Sequence, residues 1–172
     1  MRRLFAATAV TLLASAVFLV VVSAGAGPVS IPLKAKWSGI TYDVAECQAD
    51  PLMLTVVNIG NGVSSAGGKA HFTAVYCIPV PPAEDPATGW SITTTANGDT
   101  IHTRVRSLIL LSDDEWAIDE EIVGGTGKFE NATGYLYTEG TFKAPVSEYP
   151  GVPPLFMPPG GWEGTSEGEI MY

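Results

Sequence analysis

The sequence predicts an all-β fold, a single antiparallel β-barrel of about eight strands, on three observations. Helical spacing of apolar residues is nearly absent, while short alternating runs recur between clusters of Gly, Pro, Asn and Asp. The final run alternates large and small residues on one side with acids on the other. That pattern suits the tapered inside and the wet outside of a small barrel. Finally, Val123-Gly124-Gly125-Thr126-Gly127-Lys128-Phe129-Glu130-Asn131-Ala132-Thr133-Gly134-Tyr135 sets three glycines within four residues, a turn that a Cβ would obstruct.

Residues 1–26 read as a secretion signal. Arg2 and Arg3 form a basic start, an apolar run follows over 4–22, and Ala24-Gly25-Ala26 offers small residues for cleavage after Ala24 or Ala26. The alternative is an uncleaved membrane anchor, since about 19 apolar residues can span a bilayer. Residues 27–172 form one domain of about 146 residues, enough for a sizeable core. Without Arg2 and Arg3 the chain has two fewer than its 9 basic residues against 18 acidic ones, a net charge near −11. Such a surface repels phosphate backbones and anionic lipids, so neither nucleic acid nor, after signal cleavage, a membrane is an expected partner. Cys47 and Cys77 are the two cysteines. In an exported chain an isolated pair reads as a structural disulfide. Closing that loop stabilises the fold by roughly 3 kcal/mol on the chain-entropy account.

The strands follow in order. Residues 36–44 alternate, with Ile40, Tyr42 and Val44 on one face. Residues 52–59 form a mostly apolar strand ended by Gly60-Asn61-Gly62, and 63–68 read as a flexible loop. In 69–78, Ala70, Phe72, Ala74, Tyr76 and Ile78 share a face. Four prolines bar 78–89 from a central strand. Residues 90–96 and 100–111 are strands joined by Asn97-Gly98-Asp99, a hairpin signal. Residues 116–123 enter the glycine-rich segment and 134–143 leave it. A second proline-rich stretch covers 144–161, and 162–172 form the last strand. There Trp162, Gly164, Ser166, Gly168, Ile170 and Tyr172 face inward, and Glu163, Thr165, Glu167 and Glu169 outward.

The segment from Val123 to Tyr135 resembles the glycine-rich signature of the dirigent and allene oxide cyclase families, over Gly124, Gly125, Gly127, Phe129, Ala132 and Gly134. The resemblance implies an allene oxide cyclase/dirigent-like barrel, of the kind also found in secreted bacterial proteins. Dirigent proteins commonly carry an arginine just before the glycine corresponding to Gly134; here Thr133 stands there. The resemblance also brings in trimeric assembly, while the residues themselves leave monomer, dimer and trimer open.

Glu120 is the candidate catalytic residue. Trp116, Ile118, Glu120 and Ile122 share one face by period two. If that face lines the barrel, burial raises the carboxyl pKa and suits it to act as a general acid. The alternative is a solvated rim, with Asp119 and Glu121 beside it. The acids Asp113, Asp114, Glu115, Asp119, Glu120 and Glu121 lack a calcium-loop pattern. His71 and His102 are too few for zinc. The glycine turn lacks the Gly-Lys-Ser/Thr ending of a phosphate loop. No metal or cofactor is therefore expected. Asn131-Ala132-Thr133 fits a glycosylation sequon. Tyr149, Phe156 and Trp162, in or beside the second proline-rich stretch, are candidates for an apolar lid over the barrel mouth or for a cover on its outer wall.

Three functions follow. The first is a secreted binding or accessory protein holding a small apolar ligand in the barrel. The second is an isomerase or cyclase of the allene oxide cyclase type that uses Glu120 for proton transfer. The third is a structural surface protein whose barrel is filled by its own aromatics.

Overall fold

A computed structural model describes residues 28–47, 50–79, 87–112, 114–143 and 160–172. The expected signal segment, Asp113, and the stretch holding Tyr149 and Phe156 lie outside these residues. Eight strands run in chain order: β1 (Ser30–Cys47), β2 (Asp50–Ser64), β3 (Gly68–Pro79), β4 (Thr88–Thr95), β5 (Thr100–Leu110), β6 (Glu115–Gly125), β7 (Thr133–Phe142) and β8 (Gly160–Met171). Each pairs antiparallel with the next, and β8 pairs with β1 to close the barrel. Closure pairs every strand with a neighbour on both sides.

Period-two burial is clearest on β3, β6 and β8. Ala70, Ala74, Tyr76 and Ile78 are buried, with Phe72 partly so. Trp116, Ile118, Glu120 and Ile122 are buried on β6, and Trp162, Ser166 and Ile170 on β8. On β1 the inward set is Leu33, Ala35, Trp37 and Thr41, and Ile40, out of phase with it, is exposed. A register shift follows between Thr41 and Asp43. The side chains of Tyr42 and Val44, expected to share the face of Ile40, are outside the described set. One expectation needs correction: Gly60-Asn61-Gly62 does not end a strand. Here β2 continues to Ser64, and residues 65–67 alone form the turn.

The reason for these mid-strand glycines is packing. Trp116, Gly140, Gly164, Trp37 and Gly62 are successive register partners across β6, β7, β8, β1 and β2. Phe142, Trp162, Gly39, Gly60 and Phe72 form a second row across β7, β8, β1, β2 and β3. The indole of Trp162 lies over Gly39 and Gly60, that of Trp116 over Gly140, and that of Trp37 over Gly62. A Cβ at Gly60 would lie 2.8 Å from Trp162 Cη2. Each ring thus occupies the volume that the neighbouring residue leaves free. Edge-to-face contacts link the rings: Phe72 with Trp162 at 5.6 Å and Trp116 with Trp162 at 6.2 Å between centroids.

The glycine-rich segment closes one end. Gly124 and Gly125 finish β6, and Gly127–Phe129 form a single 3-10 turn. Gly127 has φ +59°, and a side chain there would strike the Asp99 carboxylate. Gly125 is held instead by close approach, since a Cβ would overlap the Thr100 carbonyl. The turn drives Phe129 to full burial among Leu33, Ala66, Ile101, Ile122, Ala132, Leu136 and Ile170. At the opposite end Cys47 and Cys77 form a disulfide with Cα atoms 5.9 Å apart, tying the end of β1 to β3 across β2.

Three glycine variants separate these roles. Gly125→Val should lower the melting temperature by displacing the Phe129 turn. Gly140→Ala should cost about 1–3 kcal/mol by overpacking, because Trp116 lies against it. Gly164→Ala should cost less, since its nearest neighbours are 3.1–3.4 Å away. Equal melting of Gly140→Ala and the parent in a thermal melt contradicts the ring-on-glycine account.

Candidate functional site

Inside the strands near the disulfide end lies a cavity of about 70 Å³. Its walls are mostly apolar and aromatic: Val56, Ile78, Leu108, Ile118, Phe142 and the Trp residues among them. Glu120 lines it at 3% exposure. Period two on β6 carries that side chain inward between Ile118 and Ile122.

The polar neighbours of Glu120 come from other strands. Thr103 on β5 donates to Glu120 Oε1 at 2.6 Å, and the Ser91 and Thr103 hydroxyls are 2.6 Å apart. The Tyr76 hydroxyl on β3 also hydrogen-bonds Glu120. Burial is the dominant influence and pushes the Glu120 carboxyl above the ordinary glutamate range. Hydrogen bonds from Thr103, Ser91 and Tyr76 pull the other way, and the charge of Asp119 adds slightly to the rise. Tyr76 is raised well above an ordinary tyrosine, first by burial and then by the Glu120 charge. The pair therefore favours forms in which protons stay on the site. Among the described residues no cation contacts Glu120.

Two further buried polar groups complete the lumen. Thr41 donates to Asn58 Oδ1 at 2.6 Å. Trp37 Nε1 donates to Ser166 Oγ at 2.9 Å, and Ser166 and Thr138 share a 2.7 Å hydrogen bond. The two remaining lumen indoles differ. Trp116 Nε1 and Trp162 Nε1 are buried with no acceptor among the described residues.

No family model matches the chain, and no curated protein matches it. Among solved structures it is similar to a pterocarpan synthase dirigent protein, with 15% identity, a TM-score of 0.50, and coverage of 86% of this chain and 87% of that one. The fold is that of a dirigent barrel. Within this dirigent-like barrel Gly124, Gly125, Gly127, Phe129 and Gly134 build the closed end, away from the cavity. Trp162, grouped in sequence with the lid candidates, belongs to the wall instead: it sits in β8 and packs on Gly39 and Gly60. His71 and His102 lie on outer faces, beside Asn61 and Thr100 respectively.

Outside the lumen, Glu121 is bound by Arg104 at 2.7 Å and Arg106 at 3.2 Å, and these hydrogen bonds lower its pKa. Neighbouring carboxylates on β6 thus move in opposite directions because the strand points one to the lumen and the other to guanidiniums.

The raised Glu120 pKa gives a signed prediction. Its folded pKa exceeds the unfolded one, so ionisation costs stability once pH rises through the unfolded value, and the cost is complete above the folded value. Glu120→Gln should melt close to the parent near pH 4 and above it at pH 7. Each kcal/mol should move the melting temperature by about 2–4 °C. A variant that loses stability equally at both pH values contradicts a desolvated carboxyl.

Proposed function

We propose that this chain is an exported ligand-binding barrel that takes a small, mainly apolar molecule into the lumen beside Glu120. The observation that supports it is a buried carboxyl, without a cationic partner among the described residues, on the wall of an apolar cavity. A carboxyl in such a place costs stability that Leu or Gln would not cost, and its position gives a ligand a polar anchor in apolar walls. The cavity of about 70 Å³ is roughly half the size of one of about 150 Å³ that admits benzene, so the enclosed part of the ligand is compact. The barrel is accordingly filled in large part by its own aromatics, with a limited space left at the carboxyl.

The test is methyl NMR with cyclopentane as the probe. The methyl resonances of Val56, Ile118 and Leu136 should shift, and Ile118→Trp, which fills the space, should abolish the effect. Shifts confined to the exposed Ile109 and Leu111 contradict a lumen site. Export rests on the N-terminal sequence and agrees with the disulfide. N-terminal sequencing of protein recovered outside the cell should begin at Gly25 or Gly27, and a retained Met1 contradicts cleavage.

A proton-transferring isomerase or cyclase is the second reading, and the Tyr76–Glu120 contact favours it. A carboxyl with a raised pKa can give a proton and recover it near neutral pH. Incubated with cyclopentanone in D₂O, the protein should then speed exchange of the protons next to the carbonyl, and Glu120→Gln should not. Exchange equal to that in buffer contradicts this reading and leaves the binding one standing.

A further inference from the structure

The lumen carboxyl lacks a counter-ion, and the described chain has none to give it. Glu120 is buried and lines the cavity. Among the described residues every Lys and Arg is engaged elsewhere or faces solvent. Lys34 and Lys143 pair with Glu167 and Glu163, and Arg104 and Arg106 with Glu121. Lys128 donates to the Ala66 carbonyl, and Lys36 and Lys69 are exposed. His71 and His102 lie on outer faces. Of the 9 basic residues only Arg2 and Arg3 fall outside the described set, in the expected signal. Thr103, at 2.6 Å, and Tyr76 give Glu120 hydrogen bonds but no positive charge. An ionised carboxylate has about four acceptor positions, so capacity is left over. Buried charges in proteins are paired, and an unpaired one is costly.

We infer that the ligand of this lumen is a small ammonium ion with a compact apolar body, whose N–H donates to the Glu120 carboxylate. This rests on the proposed lumen site. The walls favour that charge. Trp37, Phe72, Tyr76, Trp116, Phe142 and Trp162 line the cavity, and the π faces of aromatic rings attract cations. Ser91, in the wall beside Glu120, has lone pairs for a second N–H. An anion would meet the Glu120 charge, and a hydrocarbon would deepen the desolvation of the carboxyl without offsetting it. The chain as a whole, with 18 acidic residues against 9 basic ones, draws cations toward it. The charged end of the ligand therefore sits at Glu120, and its apolar body lies along Ile118 on the same face of β6. Tyr76 on β3 and Asp119 on β6 are the titratable groups that act on Glu120, and neither is a cation. From β4, β5 and β7 the residues beside it are Ser91, Thr103, Val105 and Leu136, which carry no charge.

The experiment compares cyclopentylamine, a cation at neutral pH, with its hydrocarbon isostere methylcyclopentane. Both are titrated into the parent and Glu120→Gln proteins, following the methyl resonances of Val56, Ile118 and Leu136. The Glu120 carboxyl ¹³C signal of the parent is followed too, at the midpoint of its own titration. Cyclopentylamine should move that signal toward its ionised position, because the ammonium binds the carboxylate and releases the competing proton. Methylcyclopentane should move it toward the protonated position. Glu120→Gln should weaken cyclopentylamine by at least about tenfold and leave methylcyclopentane within about twofold. Equal losses for the two probes overturn the ammonium inference. So does a carboxyl signal that cyclopentylamine moves toward the protonated position or leaves in place. In either case lumen methyl shifts with methylcyclopentane still support a binding barrel. Failure of both probes to move any lumen resonance overturns the binding reading and this inference with it. The parent carboxyl signal decides the matter if the Gln variant does not fold.

Discussion

The constraint on which the barrel depends is the fit of large aromatic rings over glycines on the next strand. Closing eight strands fixes an interior too narrow for bulky side chains at every inward position. Trp37, Trp116 and Trp162 are accommodated because Gly62, Gly140, Gly39 and Gly60 present bare backbone beside them. The register rows make this systematic, since pairing places glycine next to tryptophan strand after strand. Strand glycines weaken a sheet in isolation. Here the loss is offset by apolar area buried by the rings, on the order of 150–250 Å² for each aromatic side chain.

That packing also sets the chemistry. Rings and aliphatic groups leave a cavity of about 70 Å³, so a group on its wall meets few waters. Glu120 is such a group, and desolvation is the first cause of its raised pKa. Thr103, Ser91 and Tyr76 supply hydrogen bonds from three other strands, which lets the carboxyl persist without a cation. The other end is sealed by Phe129, whose burial follows from the Gly125 and Gly127 turn. One end of the barrel is thus packed solid around Phe129, and the other holds the cavity and its buried polar groups.

Much of the fold was legible in the residues. Alternation on β3, β6 and β8 grouped Tyr76, Glu120 and Trp162 each with the apolar residues of one face, and those faces line the lumen, although Ala117 is also buried on β6 and a register shift falls at Val123. On β1 alternation holds through Thr41, and a register shift follows. Local reading failed at Gly60-Asn61-Gly62, which has turn composition but strand geometry. The rings that need those glycines, Trp162 for Gly60 and Trp37 for Gly62, come from other strands, beyond any local pattern. The candidate site was legible only in its central residue. Ser91 and Thr103 sit on hydroxyl-rich strands that read simply as polar, and only barrel closure brings them to Glu120. The unpaired indoles depend on side-chain placement, which no spacing rule carries.

The central claim is that the lumen holds a desolvated carboxyl in an otherwise apolar space. The direct measurement is a ¹³C NMR titration of the Glu120 side-chain carboxyl in the folded protein. The account predicts a midpoint clearly above the ordinary glutamate value of about 4.3, with Glu121, held by Arg104 and Arg106, titrating lower on the outer face. A Glu120 midpoint at or below that ordinary value would show a solvated side chain and contradict the account.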